Sequence, residues 1–168
     1  NPLGTPTNVK QAHQDAFASI PSSAVFVATV DVNWYLSALF DHNLGLVPVS
    51  SEPDKARAAV SKASVTYLGV DLLQTERLVL WGSPEERTFA GLLEGQFDGK
   101  LVAWAPKRSD GDEAETSPGP NVRGTVEVVR LDRGVYGAIT PSGLVLGDRR
   151  GVEQTVDAIA GSVPTLAT

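Results

Sequence analysis

The stretch "VRGTVEVVRLDRGVYGAITPSGLVLGD", Val122 to Asp148, limits the possible folds more than any other part of the chain. Three apolar, β-branched runs are separated by Asp132-Arg133-Gly134 and Pro141-Ser142-Gly143. Both separators favour tight turns, because glycine takes positive φ without steric cost, aspartate bonds to its own backbone and proline presets φ. A parallel pair needs a crossover of roughly a dozen residues or more. Connections this short cannot supply one, so the runs predict an antiparallel meander.

A second pair of runs lies upstream. "ERLVLW" and "RTFAGLLEGQF" flank "GSPE", where Gly82 and Pro84 supply turn geometry. The same residues, with two glutamates and an arginine, raise the alternative of an active-site loop. "WGSPE" is not a G-x-S-x-G elbow, and it joins strand to strand rather than strand to helix. The reading is a hairpin tip.

The rest alternates helical and strand patterns. "NPLGTPT" (1–7) reads as a tail or linker, and Asn8 caps a helix whose Val9, Ala12, Ala16, Phe17 and Ile20 share a face. "AVFVATVDV" is apolar on both faces and reads as a central, covered strand. "NWYLSALF" predicts a short helix. Ser51, Pro53 and Asp54 open a longer helix near 55–68, with Ala56, Ala59, Val60, Ala63 and Tyr67 as its apolar stripe and Gly69 as its stop. Asp98 opens a further short helix that Pro106 ends. Asp148 caps a last helix over 149–160, with Val152, Val156 and Ile159 facing the core, Gly161 closing it, and "SVPTLAT" (162–168) left as a tail. This predicts one α+β domain over 8–161. Its antiparallel sheet has five to six strands with helices mainly on one face, in a ferredoxin-like or duplicated-half arrangement.

Charge and composition remove several functions. The first 84 residues hold five basic and seven acidic side chains and the remainder nine and thirteen, for a net charge of −6. Neither half offers the positive face that nucleic acid needs, and an acidic surface disfavours anionic lipid. The longest apolar run, Ala24 to Val30, is strand-sized, which argues against direct membrane insertion. Cysteine is absent, so disulfides, thiolate catalysis and cysteine-ligated metals are excluded. A first residue of Asn1 rather than Met suggests a processed form or fragment.

"IPSSAVFVATVDV", "GLLEGQFD" and "VYGAITPSGLVLGDRRGVEQTVDAI" together resemble a pattern in uncharacterised secreted proteins and lipoproteins of myxobacteria and related bacteria. In that pattern a P-x-x-A entry leads to a strand ending in VD, a G-x-F-D strand end leads to a helix, and an LVLG strand leads to a helix with a charged first turn. The resemblance spans about residues 20–161; the acidic stretch Ser109–Pro120 departs from it. It implies a periplasmic, envelope or extracellular location and carries no catalytic residues to transfer.

No residue set assembles into a catalytic, cofactor or metal site. His13 reads as a helix-surface residue and His42 as a helix-end residue favoured by the dipole, without H-x-x-x-H or H-E-x-x-H spacing. Asp110, Asp112, Glu113 and Glu115 lack the offsets of an EF-hand. Glu85 and Glu86, adjacent on a turn, point apart and stay solvated. Arg149 and Arg150 at a helix N-terminus read as solvated charges, with anion binding as the alternative. Trp81, Trp34 and Trp104 remain as candidate interaction residues, because tryptophan serves both cores and binding hot spots. Trp81 ends a strand beside a turn, where a half-covered ring would suit a partner.

These observations predict a non-enzymatic binding or assembly module of the bacterial envelope or exterior, acting on a protein partner or on copies of itself. The alternatives are a small-molecule domain with a pocket between sheet and helices, and a hydrolase with an unrecognised site. A free sheet edge or exposed apolar patch marks the first, and a cavity the second. The stretch Ser109–Pro120 has little to bury. Its deletion is expected to move the melting temperature by no more than a few degrees in calorimetry; a large drop would show that it packs or binds an ion.

Overall fold

The computed structural model describes residues 17–32, 53–103 and 121–167. The expected helix "NWYLSALF", most of the N-terminal helix and the acidic stretch lie outside them. The elements are β1 (Phe26–Asp31), α1 (Pro53–Leu68), a 3-10 turn (Leu72–Gln74), β2 (Thr75–Ser83), β3 (Thr88–Gly95), β4 (Asn121–Arg123), β5 (Val126–Asp132), β6 (Val135–Thr140), β7 (Gly143–Gly147) and α2 (Arg149–Ile159). The strands form one sheet in the order β1-β2-β3-β7-β6-β5-β4, with every neighbouring pair antiparallel. The α+β class and the antiparallel sheet are as expected, with six strands of five residues or more and a three-residue β4 at one edge. Among the described strands no neighbouring pair is parallel, so the described sheet does not show a ferredoxin-like centre. The final strands of two hairpins, β3 and β7, join at the middle, with β2 and β1 on one side and β6, β5 and the short β4 on the other.

The hairpin tip is Pro84–Arg87, between the last pair Ser83↔Thr88. Gly82 and Ser83 still belong to the strand, and Arg87 takes the left-handed φ of 51° that closes the loop. "VRGTVEVVRL" was expected as one strand but is two. Gly124 and Thr125 make a two-residue hairpin loop, and Gly124, at φ 63°, stands where a type II′ turn needs a glycine.

Alternation sorts the sheet into two faces. On one, Thr29, Val79, Leu92, Val145, Ala138 and Val128 stand in a row across six strands. Most of that row joins the main core, which α2 covers with Val152 and Val156, and Ile20 enters from the preceding segment. Docking is close. A Cβ on Gly151 would lie 2.2 Å from the Phe89 carbonyl oxygen, and one on Gly147 would lie 2.4 Å from the same atom. Asp148 fixes the approach: its carboxylate accepts the Gly151 N–H at 2.9 Å as the helix cap and also accepts the Phe89 N–H. Arg123 ties β4 to the same helix through Glu153, at 2.9 Å, and Asp157.

The other face carries α1, so the two described helices stand on opposite sides of the sheet. Here the expected stripe is only partly covered. Val60 and Tyr67 of that stripe are exposed, Tyr67 by 77%, whereas Ser64 is buried and Ser61 half-buried. The reason is hydrogen bonding. The Ser64 hydroxyl accepts the Leu72 N–H at 3.1 Å, and the Ser61 hydroxyl donates to Asp71 at 2.7 Å. Asp71 in turn caps the 3-10 turn through the Leu73 N–H. Three alanines in the apolar stripe offer too little area to outweigh these bonds. Gly69 ends α1 as expected, at φ 84°. Residues 98–103 are not helical; Val102 donates its N–H to the Leu68 carbonyl at 3.0 Å and so satisfies the end of α1.

The C-terminal residues are not a free tail either. Pro21 bridges Thr165, Ser22 donates to the Pro164 carbonyl at 3.0 Å, and Leu166 donates to that of Ile20 at 3.0 Å.

Gly151→Ala gains roughly 1 kcal/mol of helix propensity but overpacks a backbone contact. A net loss of about 1–3 kcal/mol is expected in urea unfolding; a neutral or stabilising result would mean that α2 docks further from β3.

Candidate functional site

Trp81 does not lie half-covered at the surface. It is 1% exposed within the main core, and its Nε1–H donates to the Thr155 hydroxyl at 2.9 Å. That hydroxyl donates onward to the Gly151 carbonyl at 2.8 Å. In the register Trp81 stands opposite Ala90, which pairs with Gly147, so small neighbours leave room for the ring under α2. Strand parity explains the placement, since Trp81 shares a face with Val79 and the core row. Trp34, Trp104, His13, His42 and the acidic cluster lie outside the described residues.

The charges at the start of α2 are paired. Arg149 meets Glu153 at 3.0 Å, and Arg150 meets Glu86 at 3.0 Å, which links the hairpin tip to the helix. The hydrogen bond and charge of Glu153 hold the Arg149 guanidinium above its usual range. Glu86 also accepts from the Gln154 amide at 3.3 Å, whereas Glu85 is exposed. Among the described residues no group of three or more histidines and carboxylates is placed to hold a metal.

Two features on the α1 side are formed by residues that the sequence reading did not single out. The first is the position of β1. Its apolar composition suggested a central strand, but it lies at the edge, bonded only to β2 among the described strands. Phe26, Ala28 and Val30 are exposed, Phe26 by 49%. Phe26 and Phe89 (57% exposed) both pair with Gly82, over which the Phe26 ring lies. Leu80, exposed between them and Val30, continues the patch. Both faces of β1 are apolar because one meets the core and the other builds this patch.

The second feature is a groove. Val30, Leu78, Leu93, Leu144 and Ile139 form a row across five strands on this face. At the β1 end that row and α1 border an open groove of about 470 Å³, lined among the described residues by Val30, Val32, Val60, Leu72, Leu73, Thr75, Leu78 and Leu93. The volume falls within the range of small-molecule pockets, roughly 300–1,000 Å³. The sequence concealed it because each residue reads as ordinary strand or helix core.

Thr155→Val keeps the shape of Thr155 but leaves the Trp81 N–H unpaired in the core. A loss of about 1–3 kcal/mol is expected, with altered tryptophan fluorescence; unchanged stability would mean that the indole finds another acceptor. The chain matches no protein-family model, no curated protein and no solved structure.

Proposed function

We propose that this protein is a non-enzymatic binding module that acts by protein–protein contact through the β1 edge, with a second copy of itself as the partner that edge fits. The observation that carries the reading is a strand of central-strand composition at a sheet edge beside exposed Phe26, Leu80 and Phe89. Natural edges are commonly blunted with charge, proline or bulges. β1 carries one charge, Asp31 at its end, and has an unbroken register with β2.

Self-pairing also satisfies side-chain matching. Antiparallel pairing of two β1 strands about Ala28 sets Phe26 against Val30 of the second copy and Val27 against Thr29. It places Asp31 beside Val25, so the two carboxylates stay at opposite ends. Like residues face like surfaces, as a two-fold contact requires. An envelope or extracellular location rests on the resemblance to secreted proteins and lipoproteins alone.

The chain has no cysteine, so Ala28→Cys introduces a single thiol. Across the two-fold axis its Cα would lie about 4.5–5.5 Å from its copy, within disulfide range. Mild oxidation is expected to give covalent dimers much faster than for Ser162→Cys, and added Phe26→Lys should slow the reaction. Because each copy carries a net charge of −6, salt should favour association in sedimentation. Equal cross-linking rates at the two positions, with wild type monomeric at every concentration, would sink the proposal.

A further inference from the structure

The two outer strands of the sheet are held in different ways. β1 shares six register pairs with β2, whereas β4 shares only three with β5. Three pairs hold an edge strand weakly, since even a whole isolated hairpin is marginal in water. Arg123 supplies a second fastening. Its guanidinium reaches from β4 to α2, where one nitrogen meets Glu153 at 2.9 Å and another meets Asp157. The two carboxylates stand four residues apart on one helix face, within reach of a single planar group. All three side chains are at least half-buried, so solvent screens these pairs less than exposed ones. α2 is itself fixed to the core by Val152 and Val156. The weakest strand is therefore anchored to the best-packed helix.

What β4 covers gives the fastening its consequence. It pairs with β5 over Val126–Val128, and β5, "VEVVRLD", carries three valines. Val128 and Val129 are already buried by the sheet's own faces, so β4 covers the backbone N–H and C=O groups of β5. A β-branched strand with those groups open is a template for pairing with another chain. β4, by contrast, is short enough to be a blunt edge. We infer that Arg123 is a latch: it holds β4 against α2, keeps the β5 edge covered and confines association to β1. Its release opens a second pairing edge, and a sheet with two such edges grows beyond two copies. The arrest at two copies rests on the β1 reading; the latch itself does not.

The test uses the full chain. Arg123→Gln removes both ion pairs, while Glu153 keeps Arg149 as a partner. In hydrogen exchange the β5 amides paired with β4 should then exchange about ten- to a hundredfold faster, with β2 and β3 unchanged. Sedimentation velocity should show species larger than the dimer that grow with concentration. Adding Phe26→Lys should limit the variant to two copies joined through β5. A covalent lock separates the latch from a general loss of stability. Val122 and Glu127 are opposed in the register, and the chain has no cysteine, so Val122→Cys with Glu127→Cys places one disulfide between β4 and β5. In the Arg123→Gln background the oxidised lock should restore wild-type exchange and size, and reduction should undo both. If circular dichroism shows that Arg123→Gln fails to fold, Asp157→Asn makes the same test by removing one ion pair. A folded variant with wild-type exchange and size would overturn the inference, as would either change without the other. Larger species that persist with the lock closed would overturn it equally, because they would form elsewhere. A monomeric wild type with a dimeric Arg123→Gln variant would remove the β1 reading and leave the latch standing.

Discussion

The first turn of α2 rests directly on the backbone of β3, and the rest of the main core depends on that approach. Gly147 and Gly151 have no side chain where one would strike the Phe89 carbonyl. Asp148 lies between them and accepts both the helix N–H and the strand N–H. With the helix held this close, Val152 and Val156 reach the sheet, and Thr155 comes within bonding distance of Trp81. A capping residue that also binds the strand gives α2 one angle of entry. Close packing by glycine and fixed polar contacts act together here, because interiors lack the slack to absorb an extra carbon.

The opposite face is assembled by different physics. α1 is positioned by Ser61, Ser64 and Asp71 rather than by its apolar stripe, so Tyr67 turns outward while Val60 borders the open space beneath the helix. Hydrogen bonds set its distance from the sheet but do not fill the space beneath it. An aliphatic row that continues beyond the helix leaves both a groove and an exposed edge patch. One face is therefore a packed core, and the other carries the exposed patch beside the β1 edge.

Much of the fold was legible because its signals are local. Asp132-Arg133-Gly134 and Pro141-Ser142-Gly143 force chain reversals, and Asp148 begins a helix, whatever lies around them. Gly124-Thr125 carried a signal of the same kind, a glycine at the first position of a two-residue loop, that the longer apolar run obscured. Site residues were harder to read. Trp81 was placed beside a turn by position along the chain, but its face is decided by parity with Val79 and its depth by a helix about seventy residues later. The stripe of α1 was correctly seen as apolar, but Ser61 and Ser64 take the buried positions and Tyr67 turns outward, because Asp71 and Leu72, their hydrogen-bond partners, lie beyond the helix end.

By itself the sequence determined the long helices and most strands, the antiparallel reversals, the cap at Asp148 and the absence of thiol chemistry. Each follows from a residue's own backbone preference or from its functional groups. Only the tertiary structure decided that β1 is an edge, that Trp81 is core and that Leu78 and Leu93 border a groove. Strand order and helix facing arise from contacts between residues far apart in the chain, and an apolar side chain looks the same in sequence whether it meets the core, a ligand or another copy.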